Sequence, residues 1–337
     1  MRRQSVTIKS LAESLGISFS TVAKALNNDP NISEKTRLLV QKAAAAQHYT
    51  PNEYARGLRQ RESKTVAAVL NDLDVPAYSA MLATISSELA VYGFTTLLAD
   101  TQYNPEREET CLKSVMGRMP QAVIVSPADP NSGSLRSLQA ISSNTLVLGT
   151  IDEDSEMSSI AVDHTLAGFL SADYMLSCGN RNMVVFAGPD GYQSADLYLS
   201  GVREACRKHG VVLPDEAVYR FRPDEQTAMR LFSELYRKNP AACEGVVCFC
   251  DSMAFGIYRA ARELGLTVGQ DVSVIGYDDN PTNDFTAPPL TTVHMPKDLI
   301  AKHCTQFMLH RLLNGDTEKH TYRLEPFLVE RSSVRKK

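Results

Sequence analysis

Thr7-Ile8-Lys9-Ser10-Leu11-Ala12-Glu13-Ser14-Leu15-Gly16-Ile17-Ser18-Phe19-Ser20-Thr21-Val22-Ala23-Lys24-Ala25-Leu26-Asn27 decides how this chain reads. The 3.6-residue period lets Leu11, Leu15, Ile17, Val22 and Leu26 point inward together. Thr7 and Ser18 each stand directly before a helical pattern, where a side-chain oxygen can accept from an orphaned backbone N–H. The spacing predicts two short helices hinged at Gly16, with Phe19, Ser20, Ala23 and Lys24 on the solvent side of the second. Such a helix–turn–helix is the simplest device for placing side chains in the major groove of DNA. A plain helical hairpin at the start of an enzyme is the competing interpretation of this stretch alone.

Working outward, Ile32-Ser33-Glu34-Lys35-Thr36 opens a third helix with Ser33 as its cap, ending near Gln47-His48-Tyr49. Tyr49-Thr50-Pro51-Asn52-Glu53-Tyr54-Ala55-Arg56-Gly57-Leu58-Arg59 follows. Three helices, a tyrosine-x-proline-asparagine step and a short segment ending alanine-arginine-x-leucine occur here in order. In this the chain resembles the lactose-repressor/galactose-repressor (LacI/GalR) family of bacterial transcription regulators, and the likeness continues through almost the whole chain.

Charge is divided unevenly. Residues 1–62 hold ten Lys/Arg against five Asp/Glu, so the remainder carries a net −9 within the overall −4. A basic head on an acidic body suits nucleic-acid binding by the head alone. At 337 residues the chain suits a head plus two medium lobes. No apolar run approaches the roughly 20 residues of a membrane helix. The amino end, Met1-Arg2-Arg3-Gln4-Ser5-Val6, lacks the apolar segment of a signal peptide, so a cytoplasmic location is expected. The seven cysteines are odd in number and form no disulfide framework. Cys248 and Cys250 fall in an apolar run, where a buried-core role outweighs a metal or redox one. No metal and no cofactor are expected.

The body alternates strand-like and helix-like stretches. Apolar, β-branched runs occur at Thr65–Leu70, Phe94–Ala99, Ala122–Ser126, Thr145–Thr150, Ser159–Asp163, Asn182–Gly188, Gly245–Asp251 and Val272–Asp278. Amphipathic stretches separate most of them, around Ala77–Tyr92, Pro105–Arg118, Leu166–Ser177, Tyr198–His209, Glu225–Arg237, Ser252–Leu264 and Lys297–Leu313. This rhythm predicts α/β lobes with parallel sheets covered on both faces, and ligands beyond the carboxyl ends of the strands. The resemblance implies an all-α helix–turn–helix head and a two-lobed body like the periplasmic sugar-binding proteins. Its divisions are a DNA-binding domain at 1–50 and a hinge helix with linker at 51–63. One lobe then spans 64–163 and 295–323, and the other spans 164–294 and 324–333. Asp163 with Gly168, Gly276-Tyr277-Asp278-Asp279 and Pro288-Pro289-Leu290-Thr291-Thr292-Val293 carry the likeness in the body. The end at Leu328-Val329-Glu330-Arg331-Ser332-Ser333 resembles the dimeric members, which lack a leucine-heptad tail.

One three-helix unit reads only a few base pairs, so affinity needs two heads on a two-fold symmetric site. Ser18, Thr21 and Asn27 suit phosphate contacts. The resemblance makes Phe19, Ser20 and Lys24 the base readers and adds Thr7, Tyr49 and Asn52 to the DNA contacts. Lys24 can donate to guanine O6 and N7, and Phe19 can touch a thymine methyl. The family commonly has serine at the position of Ala23 and arginine at that of Lys24, so the operator is open. Asn52 to Arg59 is too short for a stable isolated helix, and Gly57 weakens it by up to about 1 kcal/mol. The resemblance implies that Leu58 from each subunit, with Arg59 beside it, wedges into the central minor-groove step. A small rotation of paired lobes would then melt the hinge and release the operator.

The resemblance places effector contacts at Tyr78, Gly149, Ser194, Tyr198, Phe221, Cys250, Asp251 and Asp278. Sugar-responsive members usually carry aspartate, arginine and asparagine where this chain has Gly149, Tyr198 and Cys250. An anionic effector would miss the arginine clamp, and a pyranose would lack buried partners for its hydroxyls. A less polar or aromatic ligand, a cleft rebuilt from other residues, or no small effector all remain open. Some members answer to a partner protein on the outer face instead.

Catalysis finds no support in motifs: no Gly-x-Ser-x-Gly, Walker loop or His-Glu-x-x-His occurs. A transport receptor would share the lobes but not residues 1–59. The expectation is a homodimeric repressor binding a palindromic double-stranded operator, modulated by an effector in the inter-lobe cleft.

Overall fold

The computed structural model describes residues 6–49, 63–73, 76–128, 133–152 and 154–337. It divides into two compact units, Met1–Ser63 and Lys64–Lys337.

Helices α1 (Ile8–Leu15), α2 (Phe19–Leu26) and α3 (Glu34–Ala46) form the first unit. Thr7 caps α1 in a reciprocal arrangement with Ser10. Ser18 Oγ accepts from Thr21 N at 3.1 Å, and Ser33 Oγ from Thr36 N at 3.2 Å. Gly16 ends α1 in the left-handed conformation, φ 63°. Leu11, Val22 and Val40 are fully buried, with Leu15, Ile17 and Leu26 packed against them. Ala23 departs from its expected outward position and is only 9% exposed. Helix α2 packs against both α1 and α3, so its covered arc is wide and a methyl group projects too little to leave it.

The second unit contains two six-stranded sheets among the described residues. Its strands are β1 (Thr65–Leu70), β2 (Thr95–Asp100), β3 (Ala122–Val125), β4 (Thr145–Leu148), β5 (Ser158–Val162), β6 (Met183–Phe186), β7 (Val218–Tyr219), β8 (Gly245–Cys248), β9 (Ser273–Asp278), β10 (Thr291–His294), β11 (Thr321–Leu324) and β12 (Phe327–Val329). The first sheet runs β11-β5-β4-β3-β1-β2, all parallel. The second runs β12-β10-β9-β8-β6-β7, parallel except for β12 against β10. Near-continuous apolar runs such as Ala122-Val123-Ile124-Val125 suit strands covered on both faces.

Helices α4 (Pro76–Val91), α5 (Pro105–Met116), α6 (His164–Ser177), α7 (Gln193–Lys208), α8 (Glu225–Lys238), α9 (Asp251–Leu264) and α10 (Lys297–Asn314) cover the sheets. α4 and α10 pack together beside the first sheet, and the pairs α6–α7 and α8–α9 beside the second. The chain passes between sheets after β5, after β10, and between β11 and β12. Among the described residues no helix is long and apolar enough to cross a membrane.

Some boundaries differ from the sequence reading. β8 stops at Cys248, not Asp251, because Cys250 already occupies the position that precedes α9. α7 begins at Gln193, a turn before Tyr198. The polar stretch Gly133–Asn144 forms 3-10 turns in place of a crossover helix.

Candidate DNA interface and effector cleft

On the head, α2 presents Phe19, 41% exposed, with exposed Ser20 and Lys24 along the same helix and Asn27 at its end. The Ser18 and Thr21 hydroxyls lie 2.9 Å apart at its N-terminus. Thr7 is exposed at the start of α1. Tyr49 is half-buried against the head core, and burial pushes its phenol up. An apolar ring, small hydroxyls and an ammonium group on one short helix match the partners that base edges and phosphates offer. Asn52, Leu58 and Arg59, with the whole 51–62 stretch, lie outside the described residues.

Within the body, a cavity of about 610 Å³, open mouth included, sits at the carboxyl ends of the first sheet. Asn71 follows β1, Ser126 and Pro127 follow β3, and Gly149 follows β4, while Tyr78 comes from α4. His164, Gln193 and Ser194, at the starts of α6 and α7, line it from the second lobe. Tyr78, Gly149 and Ser194 are thus brought together at one cavity. Asn71, His164 and Gln193 were missed; a polar residue directly after an apolar strand was the signal available for Asn71.

Electrostatically the cavity is quiet. Burial pushes the His164 imidazole down to about 4, against an upward pull from Asp163. Its Nδ1 lies 3.1 Å from the Tyr277 hydroxyl. Burial, aided by Asp278, pushes the Tyr78 phenol up to about 12. Both groups are therefore neutral near pH 7. Asn71 is 4% exposed, and its Nδ2 donates to Ser126 Oγ at 3.1 Å. Its Oδ1 is buried with no hydrogen-bond partner among the described residues.

Five expected contacts lie elsewhere. Tyr198 is fully enclosed, its hydroxyl donating toward Ser171 Oγ (2.9 Å) and the Cys248 carbonyl (3.1 Å). Its ring stacks on Tyr277 at 5.7 Å and meets Phe249 edge-on at 5.5 Å. A ring at the arginine position has been drawn into the core. Cys250 is buried before α9, and burial raises its thiol as it does that of Cys248. Among the described residues no group of three or more His, Cys, Asp and Glu is placed to hold a metal ion. Asp251 is a structural carboxylate. It accepts from Asn280 N (2.7 Å), Asn283 Nδ2 (2.8 Å) and Thr292 Oγ1 (2.7 Å). A Cβ on Gly276 would collide with its Oδ1, so the glycine of Gly276-Tyr277-Asp278-Asp279 leaves room for this carboxylate. Asp278 is buried at φ 127°, and burial together with Asp251 pushes its carboxyl well up. Phe221 meets Phe186 at 5.2 Å and lines a second, more open groove of about 1100 Å³ with Asp72 and Arg222.

Among the described residues, several contacts tie the lobes across the cleft. Arg222 Nη2 pairs with the buried Asp72 carboxylate at 3.0 Å. Gln193 donates to the Thr150 carbonyl (3.1 Å) and accepts from Thr150 N (3.2 Å). Tyr103 and Tyr192 meet edge-on at 4.8 Å.

This architecture has known relatives. The family described as bacterial regulatory proteins, lacI family, matches residues 7–52, and the periplasmic binding protein-like domain matches residues 172–334. The ribose operon repressor of Escherichia coli (strain K12) is 27% identical over 335 residues, 97% of this chain and 99% of that protein. The HTH-type transcriptional repressor PurR of Glaesserella parasuis serovar 5 is 27% identical over 340 residues, 98% of each chain. Among solved structures, the lac repressor dimer bound to operator and the anti-inducer ONPF is similar at a TM-score of 0.79. It is 24% identical and the likeness covers 98% of this chain and 100% of that one. With a lacI-type head, a periplasmic-binding-protein-like body and repressors alike along their full length, the chain belongs to the lacI family of bacterial transcription regulators.

Proposed function

We propose that the protein is a repressor that binds a palindromic operator as a homodimer in the cytoplasm and is controlled by a small molecule in the Tyr78–Gly149–Ser194 cavity. The outward face of α2, with Phe19, Ser20 and Lys24 beside a capped N-terminus, carries this proposal. Ser18, Thr21 and Asn27 position the helix on phosphates, with Thr7 and Tyr49 beside them.

Pairing of two chains is supported by apolar side chains left open on the body. Val91 and Tyr92 stand exposed at the end of α4, and Leu98 on β2, an edge strand of the first sheet. An uncovered edge strand is a liability unless something lies over it. Phe285, 87% exposed, offers a similar surface on the other lobe. Through the 51–63 linker, Leu58 and Arg59 act at the centre of the operator. Effector binding shifts the balance between lobe arrangements in proportion to its differential affinity for them.

Fluorescence anisotropy with a palindromic duplex tests the proposal. The affinity should fall linearly with salt on a log–log plot, with a slope near −0.9 per phosphate neutralised. Binding unaffected by salt would reject it.

A further inference from the structure

We propose that the cavity takes an uncharged ligand with an apolar body and an O–H or N–H group that donates to Asn71 Oδ1. This rests on the proposal that the cavity is the effector site, and it names the chemical class that the site accepts.

Most of the wall is apolar: Met81, Leu148, Ile160, Val162, Met295 and Ile300. Gly149, at φ 150°, adds no side chain to the wall just after β4. That backbone region is open to glycine and strained for other residues, so an aspartate does not fit there without moving the chain. Part of the polar capacity is already committed. Both amide atoms of Gln193 are bonded to Thr150, and His164 Nδ1 faces the Tyr277 hydroxyl. A sugar would bring several hydroxyls to a wall with few groups left to receive them, and each buried unpaired hydroxyl is costly.

Among the described lining residues, Asn71 alone has a buried side-chain polar atom without a partner. Ser126 fixes its amide by accepting from Nδ2, and among the described residues Oδ1 is left buried without a partner in a side chain that lines the cavity. A buried carbonyl oxygen without a donor is destabilising, and a ligand donor placed there removes the penalty. An anion gains nothing from the wall. The Asp72–Arg222 pair belongs to the neighbouring groove, and its charges are directed at each other.

Calorimetric titration of the full-length protein with four probes tests the inference: cyclohexanol, methoxycyclohexane, cyclohexanecarboxylate and ribose. Cyclohexanol should bind about tenfold tighter than its methyl ether, the worth of one buried hydrogen bond. The carboxylate and ribose should not bind. Asn71→Leu should erase the alcohol–ether ratio. Ser126→Ala, which frees the Asn71 amide to turn, should shrink the ratio and serves if the first variant fails to fold. Ribose or the carboxylate binding tighter than cyclohexanol overturns the inference, as does equal binding of alcohol and ether. A protein that binds its operator duplex but none of the four probes also overturns it. Loss of operator binding in the same preparation strikes the repressor proposal instead.

Discussion

Tyr198 stands where sugar-responsive members of the family usually carry an arginine, and its hydroxyl is committed to Ser171 and Cys248 inside the core. Tyr198→Phe should therefore lower stability by about 1–2 kcal/mol in urea denaturation and leave ligand affinity unchanged. The missing arginine was legible in the sequence. The destination of the tyrosine was not, because helical periodicity assigns an aromatic ring to a cavity wall and to a core position alike. Gly149 is a similar case: the letter reads as a lost aspartate, while φ 150° belongs to the chain's path. His164 supplies a pH signature. Burial lowers its pKa from 6.5 to about 4, so between those values the unfolded chain binds more protons than the native one. The stability it contributes is present above pH 6.5 and is lost as pH falls through that window. Denaturation at pH 7.5 and pH 5 should show the native sequence losing about 1–3 kcal/mol more than His164→Gln. The raised carboxyls of Asp251 and Asp278 act in the opposite direction but are common to both proteins and cancel.

At the scale of elements, α6 and α7 approach so closely that a Cβ on Gly168 would meet the Tyr198 carbonyl and one on Gly201 the Thr165 carbonyl. Gly201→Ala should cost about 1–3 kcal/mol, read from the urea midpoint at constant slope. A neutral outcome would mean that the two helices separate freely. Elements with a strong local signal were legible beforehand: the capped helices of the head, and strands such as Thr65–Leu70, whose observed ends match the reading. β7, β11 and β12 carried no such signal. Each spans only two to four residues, and Thr321-Tyr322-Arg323-Leu324 owes its place to pairing with β5 more than to its own pattern. On the edge strand β2, Leu98→Glu should weaken dimerisation at least tenfold in sedimentation equilibrium if that face pairs two chains. An unchanged dimer would place the interface elsewhere.

For the whole molecule, the cavity and the DNA-reading helix communicate only if the lobes change arrangement. Arg222 holds the buried Asp72 across the cleft at 3.0 Å. Arg222→Ala should favour the open arrangement, raising the radius of gyration in small-angle scattering and changing operator affinity with no residue of the head altered. The family and the two-lobed body could be read from ordered motifs spread along the chain. The ligand class could not, because it depends on which polar atoms stay unpaired once the fold has formed. Selection of duplexes from a random-sequence library by the full-length protein tests the central claim most directly. The account predicts enrichment of inverted half-sites about a common centre, with Lys24→Ala relaxing preference at one position in each half-site and Leu58→Ala reducing binding to the selected duplex more than to random DNA. No enrichment, or enrichment of sequences without two-fold symmetry, would contradict it.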